Sequence, residues 1–220
     1  MTVHLLAIAS VLESPGTFQR VVYQIHSLGS LLPLVEWSFI FLPILFHALF
    51  GIVIVFSGQM NSGAYRYASN YRYTLQRITG IVAFLFIMWH VFHMHGWFHA
   101  DAWLNNVADP WGGHKFRAFS APSTLGAAMS SSGIIPVLYA IGVLSCVFHL
   151  ANGIWTMGIT WGVWTSPAAQ RRANWICSAA GLFLALVGMS GLYGAATVDA
   201  VEAVEVEKRM YDAKVASGEV

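Results

Sequence analysis

Charge is what this sequence has least of. Only 10% of its 220 residues are Asp, Glu, Lys or Arg, against about 25% in soluble domains. A soluble globule is excluded, because so few charges cannot cover its surface. The net charge is +1 and no Lys/Arg cluster occurs, which excludes nucleic-acid binding. Two cysteines, Cys146 and Cys177, are too few for a disulfide scaffold. Glycine-rich phosphate loops, nucleophile elbows and paired carboxylates are missing as well. What is present is apolar: 57% of residues are hydrophobic and the mean hydropathy is +0.61. Fourteen Phe, nine Trp and eight Tyr exclude disorder. The composition is that of an integral membrane protein.

The few charges mark the spans by their absence. None falls between Glu36 and Arg66, Arg77 and Asp101, Arg117 and Arg171, or Arg172 and Asp199. A spanning helix needs about 20 mostly apolar residues. The pattern predicts an all-α transmembrane bundle with full spans at about 37–57, 77–98, 134–162 and 173–197. The stretch Ser120 to Gly133 is rich in Ser, Pro and small residues and reads as loop. A membrane domain over 1–198 and a polar C-terminal tail over 199–220 follow, the tail reading as a solvated helical extension.

Arginines orient the chain. Arg66, Arg72 and Arg77 lie in or just after the loop 58–76, and Arg171 and Arg172 follow the third span, without an acid in either place. By the positive-inside rule both loops are cytoplasmic. The loop 99–133 and the tail then lie outside. Four spans put the N-terminus outside too, yet residues 3–12 are apolar and too short to span. They read as the outer end of a fifth helix.

Ionisable side chains within a span are costly and usually functional. His47, His90, His93 and His149 fall inside the expected spans, and His4 inside the apolar start. A single buried histidine is more often a hydrogen-bonded structural residue. Histidines on three separate helices favour ligation instead, since imidazole is a standard axial ligand of haem iron. Helical rise sorts them by depth. His90 lies about 20 Å beyond Arg77, in the outer half of the membrane. His47 lies about 16 Å from the outer end of its helix and His149 about 20 Å from Pro136, so both reach the midplane or beyond. These two face each other across one haem in this reading, leaving His4 as the outer-depth partner of His90. His93, three residues from His90, lies on the same side of an iron and cannot oppose it.

Small residues flank these histidines: Ala48, Gly51, Gly80, Ala83, Gly142, Ala151 and Gly153. They leave room for a macrocycle, or they serve helix packing. Pro43 removes a backbone donor one turn before His47 and bends that helix. His95 and His99 form an i, i+4 pair that reads as interfacial rather than as a metal site. Glu36 is the one carboxylate beside a span, either handling protons or anchoring the surface.

Three blocks resemble the cytochrome b membrane subunit of succinate dehydrogenase, in its bacterial five-helix, di-haem form. They are EWSFIFLPILFHALFG (Glu36 to Gly51), LQRITGI (Leu75 to Ile81) with Trp89-His90-Val91, and GVLSCVFHLANGIW (Gly142 to Trp155). TWGVWTSP (Thr160 to Pro167) and Gln170-Arg171 continue the third. The resemblance implies two haem b groups, the inner held by His47 and His149, the outer by His90 and His4. It implies a chain that lacks most of the family's first helix, so that the outer haem rests on a stub. Also implied are flavoprotein and iron–sulfur partner subunits on the cytoplasmic face of a bacterial inner membrane. Electrons from succinate, oxidised on the partner, would reach a membrane quinone, commonly menaquinone, through this subunit. Glu36, His26 and Arg20 are outer-side candidates for contact with that quinone. Other classes make other demands. A haem b subunit of a formate dehydrogenase or hydrogenase would have different partners, and a proton-relay channel would be colourless with an internal repeat. A haem-free anchor would leave His47 and His149 without a purpose.

Overall fold

Apolar runs bounded by Gly, Pro and charged residues build helices, and a computed structural model describes residues 1–218 as helices and turns, with no strand. We number the helices α1 (Thr2–Ala9), α2 (Pro15–His26), α3 (Gly29–Ser57), α4 (Ala68–His95), α5 (Ala121–Ser130), α6 (Ile134–Thr160), α7 (Pro167–Ala196) and α8 (Ala200–Ser217). Helices α3, α4, α6 and α7 are each long and apolar enough to cross a membrane. The protein is an all-α integral membrane protein with several spans.

Helix ends differ from the sequence reading in ways that backbone chemistry explains. Helix α4 starts nine residues before the expected 77, because Asn70, Arg72 and Gln76 find side-chain partners while their backbone stays helical. Helix α3 contains a widened turn over Trp37–Phe41, where the Leu42 N–H reaches back to the Trp37 carbonyl. Pro43 follows at once. A proline cannot donate to the carbonyl four residues back, and a wide turn relieves the conflict.

Described residues gather into two compact units. The first unites 1–29, 86–140 and the chain from Val187 onward. Its core is Val11, Phe18, Val22, Met94, Ala121, Leu125, Ala128, Met129, Tyr139, Leu192 and Ala195. The stretch expected as loop contains α5, entered through Pro122 in its first turn, with Leu125, Ala128 and Met129 buried. Helix α2 starts where the Ser14 side chain accepts the Thr17 N–H, 3.1 Å away, with Pro15 in the first turn.

Helix α8 is capped by Asp199, whose side chain accepts from the Val201 and Glu202 N–H groups, and ends at Gly218 in the left-handed conformation. It is a packed helix rather than a solvated extension. Glu207, 5% exposed, accepts from the Ser123 N–H (2.7 Å) and the Ser123 hydroxyl (2.8 Å) at the start of α5. A carboxylate there satisfies an orphan backbone donor and complements the helix dipole. Fully buried Gln19 joins α2 to the same segment, donating to the Ala118 carbonyl and accepting from the Ala121 N–H.

The second unit unites 30–85 and 141–186. No residue of Leu42–Ser57 is buried. Arg77 donates to the Ile54 carbonyl, 3.1 Å away, near the C-terminus of α3, where a cation opposes the dipole.

Candidate functional site

In each unit two histidines from different helices bring their rings close. In the second unit, His47 of α3 and His149 of α6 have ring centroids 5.9 Å apart and planes inclined by 75°. In the first, His4 of α1 and His90 of α4 are 5.8 Å apart and inclined by 71°. Two metal–nitrogen bonds of about 2 Å on opposite sides of an ion separate the nitrogens by about 4 Å and the ring centres by about 6 Å. Both pairs fit that spacing. Among the described residues, no group of three or more His, Cys, Asp or Glu is placed to hold a bare metal ion. Two imidazoles without a third protein donor suit a metal whose other positions a macrocycle fills.

One imidazole of each pair is anchored. His149 Nδ1 lies 3.0 Å from the Gln76 carbonyl. A carbonyl only accepts, so Nδ1 carries the hydrogen and the lone pair of the neutral ring sits on Nε2. This carbonyl–imidazole arrangement fixes the tautomer and raises the basicity of a ligand. Gln76 is itself held at both ends of its amide. It donates to the His149 carbonyl (3.1 Å) and accepts from Asn152 (2.7 Å). Asn152, 4% exposed, accepts from Arg72 (2.8 Å), which also donates to Asn174 (2.7 Å) and stacks over Trp155. Gly80 lets α4 approach: a Cβ there would stand 2.8 Å from His149 Cε1.

His90 is anchored by a side chain. Its Nδ1 lies 3.2 Å from the Tyr139 hydroxyl, which also lies 2.9 Å from Nδ1 of buried His93. Phe86 stacks on His90, and Trp89 on His93 with planes 8° apart. Helix α1, which carries His4, and the turn after it each meet a glycine of α7. A Cβ at Gly191 would stand 3.1 Å from the Ala9 nitrogen, and one at Gly194 2.8 Å from Val11.

Arg20 donates to Thr17 within its own helix, and His26 Nδ1 lies 2.9 Å from the Val22 carbonyl. Glu36 is half-buried at the end of the first α-helical stretch of α3. His95 and His99 have ring centroids 6.4 Å apart, as do His99 and His114. Burial, joined by Arg117, holds the His114 imidazole below its ordinary value, while Asp109 pulls the other way.

Sequence reasoning missed the anchors. Gln76 and Asn152 carried a signal, being amides within apolar runs, and such residues need partners in a membrane. Tyr139 carried none, because an aromatic near a span end reads as an interfacial anchor. Arg72 read as a loop charge and is the centre of a polar cluster within α4.

Comparison with known proteins adds a relative. The succinate dehydrogenase cytochrome b558 subunit of Bacillus subtilis (strain 168) is 31% identical over 163 residues, covering 72% of this chain and 70% of that protein. No family model matches the chain, and no solved structure does.

Proposed function

The chain belongs to the family of succinate dehydrogenase cytochrome b subunits, and from that premise we propose that it is a haem b-carrying membrane anchor that conducts electrons from an iron–sulfur partner to a membrane quinone. The observation that carries this reading is the recurrence of one device. Two histidine pairs, each on separate helices, share the spacing of a bis-imidazole metal site within 0.1 Å of each other. His47 and His149 would hold one haem, His90 and His4 the other.

Haem b supplies an iron that takes up and releases one electron at a time. The chain's own residues do the rest. The Gln76 carbonyl holds the lone pair of His149 on Nε2, and the Tyr139 hydroxyl positions the His90 ring. The apolar helices exclude water and keep the site in a low dielectric, which sets its potential. In this reading succinate is oxidised on the flavoprotein partner, as the family resemblance implies. The arginine-bearing ends of α4 and α7 would face the cytoplasm and the soluble subunits, and the face bearing α2, α5 and α8 would lie outside. Menaquinone is the quinone that the family resemblance favours.

Haem content per chain tests the ligands, measured as the pyridine haemochromogen on the chain expressed with its soluble partners. The parent carries two haems. His47→Ala and His149→Ala each leave one, as does His90→Ala. Two haems in any of these variants overturns the assignment of that residue.

A further inference from the structure

Tyr139 has one hydroxyl hydrogen and two imidazole neighbours. Its side chain is 6% exposed and that of His93 5%, so no water competes for these bonds. The oxygen lies 3.2 Å from His90 Nδ1 and 2.9 Å from His93 Nδ1. A phenol donates once and accepts on its lone pairs. Of the two bonds, therefore, Tyr139 donates at most one, and an imidazole N–H donates at least one.

The direction follows from what His90 must do. This step rests on the reading of His90 as an iron ligand through Nε2. A neutral imidazole that ligates through Nε2 carries its hydrogen on Nδ1, so His90 donates to the phenol oxygen. The phenol then donates to His93 Nδ1, and His93 carries its own hydrogen on Nε2. Stacking holds each ring in this order. His93 lies against Trp89 (5.0 Å, 8°), and Phe86 and Trp89 both meet the Tyr139 ring edge-on.

We propose that Tyr139 and His93 form a directed positioning pair, in which His93 orients the Tyr139 hydroxyl so that its oxygen accepts from His90 and tunes the electron affinity of the metal that His90 holds. An acceptor on Nδ1–H gives the ring imidazolate character and stabilises the oxidised metal. His93, unable to be the opposing ligand, thereby acquires a purpose one shell out.

The test is a redox titration of the membrane-bound complex, following the α-bands of the two haems, on Tyr139→Phe and His93→Phe. Tyr139→Phe keeps two haems and shifts one midpoint upward, by about a tenfold change in the oxidised-to-reduced ratio, or about 59 mV for one electron. His93→Phe keeps the stack on Trp89 and removes the acceptor, and it shifts the same midpoint upward by less. Unchanged midpoints in both variants, with two haems present, overturn the proposal, as does a downward shift. If Tyr139→Phe fails to assemble, the sign of the His93→Phe shift decides alone. Failure of the ligand reading looks different: His90→Ala would then retain both haems.

Discussion

Glycine at position 80 is where a single missing methyl group decides what an imidazole can do. A Cβ there would stand 2.8 Å from His149 Cε1, closer than carbon atoms pack. The ring cannot swing aside freely, because its Nδ1 is tied to the Gln76 carbonyl. Gly80→Ala is therefore expected to lower haem content from two per chain toward one while the band of the other haem persists. Unchanged content would mean that the His149 ring has room to move. Sequence inspection found Gly80 as one of several small residues and had no means of ranking it. The neighbour that makes it special lies 69 positions away in α6, and only folding brings the two together.

At the scale of elements, two features of the first unit depart from the sequence reading. Helix α5 lies in a stretch that composition marked as loop, and α8 packs where a solvated tail was expected. Both departures have one cause. Neither helix shows a marked apolar stripe: α5 buries Ala121, Pro122, Leu125, Ala128 and Met129 and α8 only Ala203 and Glu207, so they register weakly against a protein so apolar overall. Their mutual clasp is Glu207 on Ser123. Glu207→Gln keeps one acceptor and loses the charge, at a cost of about 1–2 kcal/mol. Hydrogen exchange should accelerate in 121–130 and 200–217 while amides of 141–160 keep their rates. Equal rates in parent and variant would show that the clasp contributes nothing. The caps of these helices are local: Asp199 before α8 and Ser14–Pro15 before α2 follow rules that need no distant partner.

For the whole molecule, the testable quantity is which way it crosses the membrane. Arg66, Arg171 and Arg172, with Arg72 and Arg77 at the start of α4, predict a cytoplasmic loop 58–67 and an outer α8. The contacts of Arg72 with Asn152, Asn174 and Trp155 make it a structural cation rather than a topology signal. The prediction survives on the remaining arginines. In a variant with Cys146 and Cys177 replaced by serine, Ser217→Cys is expected to react with a membrane-impermeant maleimide in intact spheroplasts. Ser62→Cys is expected to react only after lysis. The reverse pattern would invert the assignment and move the partner-facing surface to the other end.

Sequence by itself determined that this protein lives in a membrane, that it crosses by long apolar helices, and that histidines recur within them. Charge scarcity and helical rise are properties of the chain alone, and they survive any arrangement of the helices. It also marked the family, through blocks around His47, His90 and His149 that lie in order along the chain. Tertiary structure decided what holds those rings: a backbone carbonyl for His149, and a phenol shared with His93 for His90. Such anchors come from other helices or from side chains with no pattern of their own. A hydrogen bond is set by distances of a few tenths of an ångström between residues 49 or 73 positions apart, and no periodicity in a sequence encodes a distance of that kind.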